Sequence, residues 1–350
     1  MAVETLKREK KVYAPDLINS LPEWTHNCPR HIRVYAIMDA QKAYKQHGKN
    51  VDFRSKHKDA ASMGIVAQFI RHDSVYIRLM GKIKFTEALP AELQGKGKKS
   101  ERKTDVEIKD SRLKREGDNW YLVVPYIAKK KPRDSNGRIV AIDPGVRTFA
   151  TFFSEDSFGW WGMNDIGRII RLCYHADDLY SRASQVKRPL RRKLRQAANR
   201  IKKKIRNLVT ELHHKFAYFL VTNFDIILLP KFEVSNMVKK AARRINKKSV
   251  RSMLTMSHYK FKVFLKQKAK EHRKVVLDVC EAYTSKTISW NGEIDWKLGG
   301  KKVITDTSGN SMERDLNGAR GIFVKNVARA LLVQPPDFSG ATPGITGNIQ

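Results

Sequence analysis

Residues 138–161 read as strand, turn, strand, strand, and helices then alternate with further apolar runs to residue 332. That order confines the chain to an α/β sheet with helices packed on it. RIVAID is a short apolar run ending on Asp143, PGV turns the chain, TFATFFS returns it, and FGWWG supplies a third strand. FDIILLPKF (224–232) and KVVLDVCEAY (274–283) are two more strand-like runs. DLNGARGIFVKNVARALL (315–332) reads as a helix opening at Asp315, and 250–272 as one amphipathic helix.

The spacing predicts two helices over 164–222. In the second, Leu194, Ala198, Ile201, Ile205, Leu208, Leu212, Phe216 and Phe219 recur three and four apart, the seam of a packed helix. Pro189 suits its start, where a missing N–H does no harm. The other faces are basic: Arg191, Arg192, Lys193, Arg195, Arg200, Lys202, Lys203, Lys204 and Arg206 fall within sixteen residues that contain no acid. A second basic segment, 239–249, carries Lys239, Lys240, Arg243 and Arg244.

Residues 1–135 read as a smaller mixed α+β region. VYAIMDAQKAY (34–44) has helical spacing, and SMGIVAQFI, SVYIRLMG and NWYLVVPYI have strand composition. The polar stretch 94–119 reads as a loop or exposed hairpin, 286–314 as loop-like, and the tail 333–350 as disordered. AKKKPRDSNG (128–137) marks the boundary before a second domain over 136–332.

Charge narrows the function. Lys and Arg number 69 against 35 Asp and Glu, a net +34. Repulsion of that size costs stability and points to a polyanionic partner. Nucleic acid fits better than a membrane surface, because the cations are spread along the chain instead of concentrated in one amphipathic helix. Cys28, Cys173 and Cys280 form no C-x-x-C pair, so neither a disulfide framework nor a cysteine zinc site is expected. The charged first residues are unlike a secretory signal, and an intracellular protein, nuclear in a eukaryotic host, is expected.

Three acids lie at the ends of core elements: Asp143 and Glu281 after strands, Asp315 at a helix start. Each has an ordinary explanation, respectively turn acid, surface carboxylate and helix-start acid. As an ordered set they fit a site at the carboxyl ends of strands. Three carboxylates converging need divalent cations, and Mg²⁺ or Mn²⁺ prefer such oxygen ligands. Two ions about 3.5–4 Å apart activate water and stabilise the leaving oxygen in phosphodiester cleavage.

Five segments, PRHIRVYAIMDAQKAY with FRSK, VAIDPGVRTFAT, DIILLPKFEVS, EAYTSKT and ERDLNGARGI, occur in that order. In them the chain resembles the TnpB/Fanzor family of transposon-associated RNA-guided DNA endonucleases, closest to the Fanzor branch. The resemblance implies an RNase H-like (RuvC) mixed sheet with an inserted basic helical hairpin (164–222) and a truncated recognition/wedge-like region before it. Asp143 matches the first RuvC aspartate and Asp315 the last. The family's usual second Glu position falls on Pro230; Glu281 matches the relocated Fanzor Glu, with Glu233 as fallback. The family's zinc ribbon would span 286–314, but Ile288, Asn291, Thr305 and Ser308 stand where its cysteines belong. No zinc is expected there, and Trp290 and Trp296 would hold the insert by packing. The resemblance also implies a guide RNA, target DNA and Mg²⁺, a monomer or ribonucleoprotein, and no membrane. The alternatives are a catalytically impaired nucleic-acid-binding relic and a transposase-type strand transferase.

Overall fold

A computed structural model describes residues 14–48, 51, 60–71, 74–83, 85–87, 109–117, 119–125, 135, 137–163, 165–232, 234–238, 245–296 and 301–332. The chain divides into two compact units, Met1–Lys129 and Lys130–Gln350.

In the first unit, helices α1 (Ala14–Ile18) and α2 (Arg30–His47) pack through Ile18 and Ile37. Strand β1 (Ala60–Ile65) is followed by the short pair β2 (Ile70–Arg71) and β3 (Ser74–Val75), and then by α3 (Ile77–Met80). SVYIRLMG is therefore not one strand: Tyr76 adopts φ 48° and turns the chain into a helical turn. β4 (Ser111–Glu116) and β5 (Asn119–Val123) form a hairpin that extends β1 into an antiparallel sheet, so part of the polar 94–119 stretch is strand.

The second unit is built on a mixed five-stranded sheet, whose strands lie side by side in the order β10 (Val275–Val279), β9 (Ile226–Pro230), β6 (Ile139–Pro144), β7 (Ala150–Ser154) and β8 (Phe158–Trp161). β7 runs antiparallel to both of its neighbours, β6 and β8. β9 and β10 continue the sheet parallel to β6. Between β8 and β9, α4 (Asp165–Gln185) and α5 (Leu190–Asn223) pack side by side. The predicted α5 stripe is inside: Ala198, Ile205, Leu212 and Phe216 are buried. Pro189 is its N-cap. After α6 (Val234–Met237), the single helix expected over 250–272 is two, α7 (Lys247–Met256) and α8 (His258–Glu271), because Ser257 sits at φ 52° between them.

Strand alternation sorts the core onto two faces. Val140, Ile142, Ile227 and Leu229 join Phe216, Leu220 and Leu265 of α5 and α8. Ala141 and Leu228 face the last helix, α9 (Arg314–Leu332), through Ile322 and Phe323. Between β10 and α9, the loop-like stretch holds a small hairpin, β11 (Val303–Thr305) and β12 (Ser311–Glu313). Its core is Ile288 and Ile304 with Trp290 and Met312 packed on them. Trp290 Nε1 donates to Asp306 Oδ2 at 2.7 Å, and Asp306 Oδ1 accepts Asn310 N–H at 2.7 Å. Trp296 does not share that core; it is 67% exposed, with Lys286 Nζ 5.4 Å from its ring centroid.

Candidate active site

Asp143 reaches the site because β6 is the middle strand and its alternation turns this position, like Ala141, toward α9. Its partner surface is Gly318. A Cβ there would stand 2.5 Å from Asp143 Oδ2, so only a glycine lets the carboxylate lie against the helix. Asp315, one turn earlier on α9, shares that face.

Glu281 arrives from the neighbouring edge. Val279 ends β10 opposite Pro230, the last residue of β9, so Glu281 lies two residues past the level of Pro230. A turn fixes it: Thr284 donates its backbone N–H and its Oγ1 to the Glu281 carbonyl, at 3.2 and 2.8 Å. Tyr283 takes φ 69° to make that turn.

The electrostatics tie the three together. Burial pushes the Asp143 carboxyl up to about 8, and the charges of Asp315 and Glu281 push the same way, with Arg314 opposing them. Burial also raises Glu281. Arg314 Nε lies 3.6 Å from Asp315 Oδ1. The buried Asp143 carboxyl thus senses acids from the turn after β10 and from the start of α9. Among the described residues, no three His, Cys, Asp or Glu side chains close tightly enough to hold a metal ion. The arrangement is an acidic cluster within electrostatic reach, not a closed coordination shell. Its donor set is all oxygen, the kind that hard divalent cations take. The Asp143 carboxylate takes up the space that a Cβ at position 318 would need.

The basic residues of α5 take up different positions. Arg192, Lys193, Arg195, Arg200, Lys202, Lys204 and Arg206 are exposed, whereas Arg191 and Lys203 are half-buried. Arg191 Nε donates to the Val186 carbonyl at 2.9 Å, and Lys202 Nζ lies 4.1 Å from the Tyr180 ring centroid. Lys239, Lys240, Arg243, Arg244 and the fallback Glu233 lie outside the described residues, as does the tail after residue 332. Gly318, Thr284 and Arg314 were not singled out by sequence reasoning. Two glycines inside the helical run DLNGARG were the available signal, since glycine in a helix interior is costly without a close approach to accommodate.

Comparison with known proteins adds a lineage to this geometry. Residues 258–322, which include Glu281 and Asp315, match the family model for the Cas12f1-like TNB domain. Over 329 residues the chain is 30% identical to "Putative transposase A625R" of Paramecium bursaria Chlorella virus 1, covering 86% of this chain and 70% of that protein. It is 26% identical over 210 residues to TnpB-like protein L79 of Acanthamoeba polyphaga mimivirus, covering 58% of this chain and 40% of that protein. Among solved structures, a Cas12f1–sgRNA–target DNA complex aligns at 14% identity with a TM-score of 0.47, over 84% of this chain and 71% of that one.

Proposed function

The chain belongs to the TnpB family of transposon-associated proteins, and from that premise we propose that it is a metal-dependent, RNA-guided DNA endonuclease with a RuvC-like Asp143–Glu281–Asp315 site. The observation that carries the reading is the placement of Asp143: it stands on the central strand with its carboxylate against Gly318, one helical turn from Asp315, in a chain of net charge +34. Acids gathered against one another in so basic a protein are costly unless a cation is to be shared among them. The sheet supports the RNase H-like assignment, with the first acid on the central strand and the last on the helix laid across it.

Bound there, magnesium supplies the Lewis acidity that makes water a nucleophile and stabilises the leaving oxygen. The chain's own residues do the rest. Asp143, Glu281 and Asp315 present oxygens from three separately anchored elements, and their mutual repulsion makes them a receptor for positive charge. Arg314, beside Asp315, limits the negative charge of the cluster. The exposed cations of α5 hold the nucleic-acid backbone, and guide RNA reads the target by base pairing. The Trp290–Asp306–Asn310 clasp and its small apolar core hold the insert between Glu281 and Asp315 in place of zinc.

The test is DNA cleavage by the purified protein with its co-purified RNA. Cleavage is expected with Mg²⁺ or Mn²⁺ and not with EDTA. Asp143→Ala and Glu281→Gln abolish it, while Glu233→Gln is mild. Retained cleavage in Asp143→Ala overturns the assignment, and a damaging Glu233→Gln with a mild Glu281→Gln moves the second ligand. A second reading is binding without cutting, for which the net charge of +34 is by itself sufficient. It predicts tight RNA binding with no metal-dependent cleavage in the same assay.

A further inference from the structure

Helix α9 does more than carry Asp315. Asn317 is fully buried; its Oδ1 accepts the Ser289 N–H and its Nδ2 donates to the Thr287 carbonyl, both at 2.8 Å. At Gly321 a Cβ would lie 3.2 Å from the Thr284 carbonyl oxygen, so this turn of helix and the Glu281 turn meet closely. Further along, Lys325 Nζ donates to the Ala282 carbonyl at 2.8 Å and reaches Cys280 Sγ at 3.9 Å. Asn326 Nδ2 approaches the Cys280 carbonyl at 3.5 Å. Cys280 and Ala282 are the chain neighbours of Glu281, and Thr287 and Ser289 follow its turn. None of these bonds belongs to helix or sheet regularity. One helix therefore grips the chain on both sides of Glu281 while presenting Asp315 and the Asp143 cradle.

We propose that Asn317 and Lys325 are positioning residues that fix Glu281 relative to Asp315 and thereby set the cation affinity of the carboxylate site. This rests on reading Asp143, Glu281 and Asp315 as its ligands. Lys325 gives the proposal a sign. Removing a cation near an acidic cluster raises divalent-ion affinity if only charge matters. If Lys325 acts by holding the Ala282 carbonyl, its removal lowers that affinity instead.

The experiment titrates Mn²⁺ into the full-length protein, with free ion read by electron paramagnetic resonance, and follows hydrogen exchange by mass spectrometry. Asn317→Ala is expected to speed exchange over 280–290 while leaving 139–154 as in the wild type. Asn317→Ala and Lys325→Met are each expected to weaken Mn²⁺ about tenfold, the usual scale for groups that orient metal ligands. The proposal is overturned if exchange over 280–290 is unchanged, or if Mn²⁺ affinity is unchanged or tightened in Lys325→Met. Lys325 stands outside the apolar cluster that α9 forms with the sheet and empties no core when replaced, so it decides the matter even if Asn317→Ala does not fold. If the wild type binds no Mn²⁺ that Asp143→Ala removes, the carboxylate reading itself falls and takes this proposal with it. Wild-type binding with unaltered variants removes only the positioning roles.

Discussion

Gly318 isolates the question of the site at the level of one atom. An alanine there is a better helix former than glycine by about 1 kcal/mol, so the substitution on its own favours α9. Its Cβ, however, would lie 2.5 Å from Asp143 Oδ2, and the carboxylate has to move. Gly318→Ala is therefore expected to leave the melting temperature close to that of the wild type while cutting cleavage on the order of a hundredfold, the usual penalty for an ångström of misplacement. Calorimetry alongside a single-turnover cleavage assay reads both quantities. Full activity would mean that Asp143 is not needed where it lies. At this scale the sequence was partly legible. Asp143, Glu281 and Asp315 stood out as an ordered set of acids at the ends of apolar runs and through the family resemblance, and the Asp143 carboxyl senses the other two. Asn317 and Lys325 could not, because their partners are backbone atoms some 28 to 43 residues away in the chain. Nothing in local periodicity encodes such a pairing.

The α4–α5 pair shows how one element serves two demands. The apolar seam of α5 is spent on the core against α4, β6 and β8, which leaves the cations of the first half on the outside. Replacing Arg192, Arg195 and Arg200 together with alanine should preserve helicity, since all three are exposed and alanine is the stronger helix former. Nucleic-acid affinity should fall. The slope of log affinity against log salt should flatten by about one for each phosphate left without its cation. Filter-binding titrations across a salt series measure it, and an unchanged slope would remove this face from the interface. Elements like α5, β6, β9 and α9 were readable because each buries a long or continuous apolar run. Two others were misread for one physical reason: a single residue in the left-handed region, Tyr76 in SVYIRLMG and Ser257 in 250–272, redirects the backbone without disturbing the apolar pattern. The β11–β12 hairpin could be expected only from the resemblance to a zinc ribbon, because strands of three residues are too short to show alternation.

Over the whole molecule, a net charge of +34 sets folding and binding against each other through ionic strength. Self-repulsion among like charges is screened as salt rises past about 0.1 M, where the Debye length is near 10 Å. Added salt should therefore raise the melting temperature of the free protein. The same salt lowers affinity for a polyanion, because counterions released into a more concentrated solution gain less entropy. RNA added at low salt should stabilise the fold by binding only the native state, by about 2.7 kcal/mol when present at a hundred times its dissociation constant. The prediction is thus a crossing: melting temperature rises with salt for the protein alone and falls with salt for its RNA complex. Differential scanning calorimetry with and without co-purified RNA would display it, over a salt series that runs from well below to well above about 0.1 M. Two parallel curves would mean that the excess charge is not held in reserve for nucleic acid, and that the basic face of α5 is a solvated surface of the kind a helix needs for solubility alone.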